Sequence, residues 1–285
     1  AGDRIFVIDD REGKMFNASR VQTAGNREAR ISLEMLTDRL RELFSQDLGF
    51  IIFHVNEQIA DSVYETLKGL HLGAKVVKVE PPSDWSLEDK RRFVEACWGF
   101  VEVEGQSFDW MFRRAEEKFF EELSRIGRNI AVRHWVELDP SASEEHESMK
   151  VFAAECLARE LGCRSESEIE EALKSGLVET EHEFGGGRAD IYVPSQQRFV
   201  EVETFYGTGN PLDKLDKVTL RKYINWAKRV DIVILNGLLA ILYARGLAKL
   251  ARIYREHHGL TVNFYVPNFR ERKLAPLKEI LHLVH

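Results

Sequence analysis

Nowhere does this chain hold a continuous run of about 18 apolar residues, the length a membrane-spanning helix needs, so it carries no candidate span. It also lacks the basic, apolar and small-residue succession of a secretory signal. Cysteine is scarce. Cys97, Cys156 and Cys163 make no paired framework and have no metal-ligand spacing, which fits reduced, partly buried thiols in a cytoplasmic protein. No Gly-x-x-x-x-Gly-Lys-Ser/Thr phosphate loop occurs. The strand-like Ile5-Phe6-Val7-Ile8-Asp9-Asp10, similar to a Walker-B strand, and the sensor-like Asn56 therefore do not make an ATPase of this chain alone. No Ser-His-Asp or Cys-His arrangement, paired zinc signature, internal repeat or low-complexity tract stands out. The chain opens Ala1-Gly2 rather than on Met, as a tag scar or an excised fragment would.

What is present bounds the fold. With 285 residues, 44% of them hydrophobic, the chain can bury one large core or two modest ones. Its net charge of −7 argues against indiscriminate binding to nucleic acid. The charge is uneven, however. Residues 204–285 hold 14 Lys or Arg against 6 Asp or Glu, a net of +8, which leaves −15 on residues 1–203. A basic lobe of this kind can grip a phosphate backbone, although basic helices are also often merely solvated.

Residues 4–9 and 49–55 read as buried strands, 28–45 and 57–70 as helices and 74–79 as a further strand, before Pro81-Pro82 ends the run. Ile31, Leu33, Leu36, Leu40, Leu43 and Phe44 form the apolar stripe of the first helix. Strands alternating with helices predict a parallel, Rossmann-like α/β sheet. Helices follow at 86–97 and 107–126. Their aromatic residues, Trp98, Phe108, Trp110, Phe112, Phe119 and Phe120, are spaced for packing rather than base stacking. Asp139-Pro140-Ser141-Ala142-Ser143 reads as a linker, giving domains at 1–140 and 141–285. In the second, Ser143 caps a helix running to about Leu161. A short helix at 166–173 and strands at 178–184, 187–193 and 199–204 come next. Gly185-Gly186-Gly187 suits a turn better than a phosphate cradle, because no helix N-terminus directly follows it. A helix at 211–229, a strand at 231–235, a helix at 238–257 and a strand at 261–266 complete the pattern. His257-His258 diverge on their helix and suggest a cap rather than a metal site.

The acids in two of these strands carry the most information. Residues two apart on a strand share a face, so Glu201 and Glu203 point the same way, and Asp190 lies opposite them if the register allows. Val200, Val202, Ile191 and Val193 alternate with these acids and pack the other face on a core. Clustered carboxylates repel unless a cation or raised pKa values relieve them, and oxygen clusters of this sort bind hard divalent cations. The plainer reading of a Glu-x-Glu pair is a solvated edge. Leu215, Tyr223, Trp226 and Val230 can face the sheet, while Lys214, Lys217 and Arg221 line a separate face of the helix. Lys222 lies off that row.

In order and spacing, residues 141–285 resemble the PD-(D/E)xK nucleases, whose restriction-endonuclease-like core runs helix, three-stranded meander, helix, strand. The Gly187-Arg188-Ala189-Asp190 strand and Glu201-Val202-Glu203 carry the resemblance, with Glu147 as the helical acid and Glu144 second in line. It implies a metal-dependent nuclease, with DNA the preferred substrate, in which Glu147, Asp190, Glu201 and Glu203 hold Mg2+ or Mn2+. Arg188, Lys214, Lys217, Arg221 and Lys222 would contact nucleic acid, and Lys214 and Lys217 would also serve catalysis. His146 is a further candidate for phosphate contact, beside the option of a structural role. The family has Lys where this chain has Glu203. Three consequences stay open: a lysine from the next helix takes over, Glu203 adds a ligand, or the site is dead and the domain is a binding or assembly module. The Rossmann-like domain is then a sensor that gates the nuclease or a surface for a protein partner, and a homodimer remains open.

Overall fold

In the strand Arg198–Glu203 every residue is buried, the charged ones included, and this decides where the functional candidates lie. The computed structural model describes residues 5–10, 50–55, 57–69, 85–105, 107–137, 139, 142–205 and 210–282. The chain divides into two compact units, Ala1–Asp84 with Thr208–Asn210, and Trp85–Gly207 with Pro211–His285. In the first unit, β1 (Ile5–Asp10) pairs in parallel with β2 (Phe50–Val55), from Ile5 opposite Phe50 to Asp10 opposite Val55, and α1 (Glu57–Gly69) follows. The helix expected at 28–45, the strand expected at 74–79 and Asn56 lie outside the described residues.

The second unit is mixed α/β. Its helices are α2 (Leu87–Cys97), α3 (Phe108–Gly127), α4 (Ile130–Arg133), α5 (Glu144–Glu160) and α6 (Glu166–Lys174). Ser86 and Asp89 close α2 with a capping box, and Ser143 accepts from the His146 amide to cap α5, as its position predicts. The sheet runs β3 (Glu179–Phe184), β4 (Gly187–Val193), β5 (Arg198–Glu203), β6 (Arg229–Ile234), β7 (Thr261–Asn268), β8 (Lys273–Pro276), in that spatial order. The β3–β4, β4–β5 and β7–β8 pairs are antiparallel, and β5–β6 and β6–β7 are parallel. The helices α7 (Pro211–Lys214), α8 (Gly237–His258) and α9 (Leu277–Leu281) complete the described elements. Among the described residues no helix is long and apolar enough to cross a membrane.

Two cores flank the sheet. One joins Val200 and Val202 of β5 and Ile191 and Val193 of β4 to Met149, Phe152 and Leu157 of α5 and to Met111, Phe119 and Leu123 of α3. The other takes Phe199 of β5 together with Leu215, Leu220, Tyr223 and Tyr254. Glu201 and Glu203 are in phase with Phe199 and so point to this second side.

Two expectations are corrected. The division between units falls at Asp84–Trp85, not in the Asp139–Ser143 linker, because α2 and α3 share a core with α5: Phe119 and Phe152 both pack on Phe269, with ring centroids 5.2 and 4.9 Å away. The expected helix at 211–229 is also broken. After α7 the backbone widens into a π-helical stretch, Leu215–Leu220, and then tightens into a 3-10 turn, Arg221–Tyr223. Leu215, Thr219, Leu220 and Tyr223 are buried by this path, while Trp226 is left exposed rather than facing the sheet.

The β3–β4 turn requires glycine for space. A side chain at Gly185 would run into the Trp226 indole, and one at Gly186 into the Lys222 carbonyl. Beneath the opposite end of the sheet the carboxylate of Asp231, fully buried, accepts from Arg198, Arg229 and Asn263, tying β5, β6 and β7 together.

Candidate functional site

The β4–β5 ladder pairs Val193 with Arg198, Tyr192 with Phe199 and Ile191 with Val200. One step further would set Asp190 opposite Glu201. There the Asp190 side chain replaces the backbone ladder, its Oδ2 accepting the Val202 amide at 2.7 Å. On the other flank the register places Glu181 opposite Asp190, between the pairs Thr180–Ile191 and His182–Ala189. Glu181 has a φ of 52°, in the left-handed region that a residue with a Cβ adopts only at a cost. Glu181, Asp190 and Glu201 therefore stand at one level on three adjacent strands.

Glu201 is buried, with 6% of its surface exposed, beneath the 211–223 segment. The Tyr223 hydroxyl donates to its Oε1, and Lys222 Nζ lies 2.7 Å from the same oxygen. Burial first, and then the neighbouring charge of Asp190, push the Glu201 pKa up to about 8; Lys222 and Tyr223 only partly oppose this. Burial and the Glu201 charge also raise the Tyr223 pKa, so its hydroxyl remains a donor.

Asp190 behaves in the opposite way. Burial alone would raise its pKa, but the hydrogen bond and charge of His146, the Val202 amide and Lys150 outweigh burial and hold it below the ordinary value. Its Oδ1 lies 3.4 Å from His146 Nε2, and the His146 pKa is raised because the Asp190 contact outweighs the effect of burial. Asp190 thus favours the ionised carboxylate, whereas Glu201 opposite it is pushed towards the protonated form, with a pKa of about 8.

Beside them runs a buried ionic chain. Lys150 Nζ, fully buried, donates to Glu147 Oε1 at 3.0 Å and to Glu181 Oε1 at 2.5 Å. Arg188 Nε reaches Glu181 Oε2 at 2.7 Å, and its Nη2 reaches Asp139 at 3.2 Å. Glu147 Oε1 also accepts the Asp139 amide, while its Oε2 is buried without a hydrogen-bond partner.

The expected site residues therefore separate. Asp190 and Glu201 stand at opposite positions on adjacent strands, close enough for the charge of one to act on the other, and Lys222, the lysine that the helical row left unplaced, is the one that touches Glu201. Glu203 turns to Lys214, 2.9 Å away, and to Thr219, whose hydroxyl donates at 2.6 Å. Lys217 is exposed and pairs with Asp213, Arg221 turns to Tyr254, and Arg188 serves Glu181. Glu144 is exposed on the first turn of α5. Among the described residues no group of three or more His, Cys, Asp or Glu side chains could hold a metal ion together.

Neither a family model, a curated protein nor a solved structure matches this chain. The chemistry of the site is therefore read from its own atoms.

A magnesium ion does not need an all-protein cage; it keeps several waters and is bound through one or two carboxylates plus substrate phosphates. The Asp190–Glu201 pair meets that requirement. The high pKa of Glu201 comes from its burial and the neighbouring Asp190 charge, which Lys222 only partly offsets, and the orphaned Glu147 Oε2 is a further acceptor on the adjoining helix. Sequence reasoning passed over Lys150, Glu181 and Thr219, and read Tyr223 only as a residue facing the sheet. Only Lys150, three residues after Glu147 on one helix face, carried a local signal.

Proposed function

We propose that this chain is a divalent-cation-dependent hydrolase of nucleic-acid phosphodiesters. The observation that carries the reading is the half-buried Asp190 opposite the buried Glu201 where β4 and β5 part, with the Lys222 ammonium on Glu201. The order of elements, α5, then the β3–β4–β5 meander, the 211–223 segment and β6, supports the likeness to a restriction-endonuclease-like domain. The parallel β1–β2 pair supports a Rossmann-like reading of the first unit. DNA as substrate, Mg2+ or Mn2+ as the ion and a cytoplasmic setting belong to the same proposal.

Asp190 and Glu201 would hold the ion, with Glu147 reaching it directly or through water. When bound, the ion polarises the phosphate and lowers the pKa of a water. His146 and the Val202 amide keep Asp190 ionised. Glu201 would give its proton to solvent on taking a cation, and Tyr223 keeps the carboxylate oriented through its hydroxyl. Lys222 is placed to exchange Glu201 for a phosphate oxygen and to offset charge developing there. This assigns to Lys222, from the following segment, the place that the family gives to the residue at Glu203.

One observation favours a non-catalytic module on the same fold: Glu203 is fully engaged by Lys214 and Thr219, and the remaining acids already have cationic neighbours. Cleavage of DNA by the full chain with Mg2+ or Mn2+, compared in EDTA and in Asp190→Asn, separates the two. Metal-dependent cutting lost in the variant supports the hydrolase. Cutting that persists in EDTA, or is absent with either metal, removes it.

A further inference from the structure

We infer that Trp226 is a base-stacking platform which gives this site a preference for single-stranded nucleic acid. The inference rests on the proposal that the site acts on nucleic acid.

A tryptophan facing the sheet would lose nearly all of its surface, yet Trp226 keeps 56% of its exposure. The side chain is nevertheless held. The edge of its indole lies against Gly185 and Gly186 in the β3–β4 turn, where any larger residue would collide with it. Phe184 meets it edge to face, with ring centroids 6.4 Å apart at 69°, and its amide donates to the Tyr223 carbonyl at 2.9 Å. An exposed aromatic ring fixed by packing loses little further freedom when a base stacks on it.

The stretch of chain around it is basic. From Lys217 to Val230 the chain carries Lys217, Arg221, Lys222, Lys228 and Arg229 and no acid. Lys222, four residues before the tryptophan, links it to the carboxylates, because its carbonyl packs on Gly186 while its ammonium lies on Glu201. An exposed ring in a basic stretch of chain, joined through Lys222 to Glu201, has the composition of surfaces that track an unpaired strand. An unpaired base offers its face to such a ring, whereas a base inside a duplex keeps both faces stacked. Trp110, also exposed at 48%, has its nearby cations Arg113 and Arg114 paired with Asp109 and Glu117 on its own helix α3, which makes it the control.

Fluorescence anisotropy with labelled single-stranded DNA, single-stranded RNA and duplex DNA of equal length, in EDTA at fixed salt, tests the inference on the full chain. The wild type should bind a single strand more tightly than the duplex. Trp226→Ala should weaken single-strand binding by about 5- to 150-fold, the range set by one lost stacking contact. Trp226→Phe should retain most of the binding, and Trp110→Ala all of it. Stronger binding of either DNA or RNA single strands than of the duplex supports stacking and identifies the preferred sugar. Equal binding of duplex and single strand, no binding at all, or an unchanged Trp226→Ala overturns it. Because the assay contains no metal, its failure leaves the carboxylate pair to be judged by metal binding and cleavage, and failure of those leaves the stacking result intact.

Discussion

His146 Nε2 and Asp190 Oδ1 stand 3.4 Å apart, and each shifts the other's proton equilibrium: the carboxyl is held below its ordinary value and the imidazole above it. The stabilisation from His146 is complete below the unfolded value of 6.5 and is lost as pH rises through the folded pKa above it. The stabilisation from Asp190 is complete above 3.8 and is lost as pH falls through the lower folded pKa. His146→Ala should therefore destabilise most between those values, by about 1–2 kcal/mol. The deficit should narrow above neutral pH, as measured by urea unfolding across the range.

Glu201 should show the reverse of the Asp190 trend. Its pKa rises from 4.5 in the unfolded chain to about 8 in the folded one, so the native state holds the extra proton between those values. Stability from this group falls as pH rises through that window. Glu201→Gln should flatten the fall and unfold at higher denaturant than the wild type above pH 8, although it removes a proposed ligand. A greater loss of stability in the variant at high pH would show that the carboxylate is not strained there.

Lys150 is fully buried between Glu147 and Glu181. Lys150→Met takes the ammonium from Glu147 and leaves Glu181 with Arg188, and should cost about 3–5 kcal/mol of stability. Adding Glu147→Gln and Glu181→Gln should recover part of this loss in urea melts, since buried charges without partners carry most of the penalty.

The lysines should divide by function. Lys222→Ala should lower kcat by about 10²-fold or more, because it removes the ammonium beside Glu201. Lys217→Ala should leave kcat unchanged, since that side chain pairs with exposed Asp213. Steady-state cleavage rates at saturating Mg2+ give the comparison.

The hairpin acids were legible in the sequence because strand periodicity is local. Val200 and Val202 alternate with Glu201 and Glu203, and the β4–β5 register follows from a short connection. The choice of lysine was not legible. A regular helix would present Lys214, Lys217 and Arg221 as one row, but the π-helical turn at Leu215–Leu220 alters the angular register and delivers Lys222 to Glu201. The unit boundary was missed for a different reason. Asp139–Ser143 has the composition of a linker, whereas the docking of Phe119 and Phe152 on Phe269 depends on contacts distant in sequence. The left-handed backbone at Glu181 and the burial of Lys150 are likewise tertiary facts.

The central claim is that Asp190 and Glu201 form a cation site while Glu203 does not. Calorimetric titration of Mn2+ into the full chain measures this directly, in wild type, Asp190→Asn and Glu203→Gln. The predicted result is a saturable site in the wild type, strengthening as pH rises towards 8 because Glu201 must release a proton. Asp190→Asn should abolish it and Glu203→Gln should retain it. No saturable heat in the folded wild type, or heat that survives Asp190→Asn, would contradict the account.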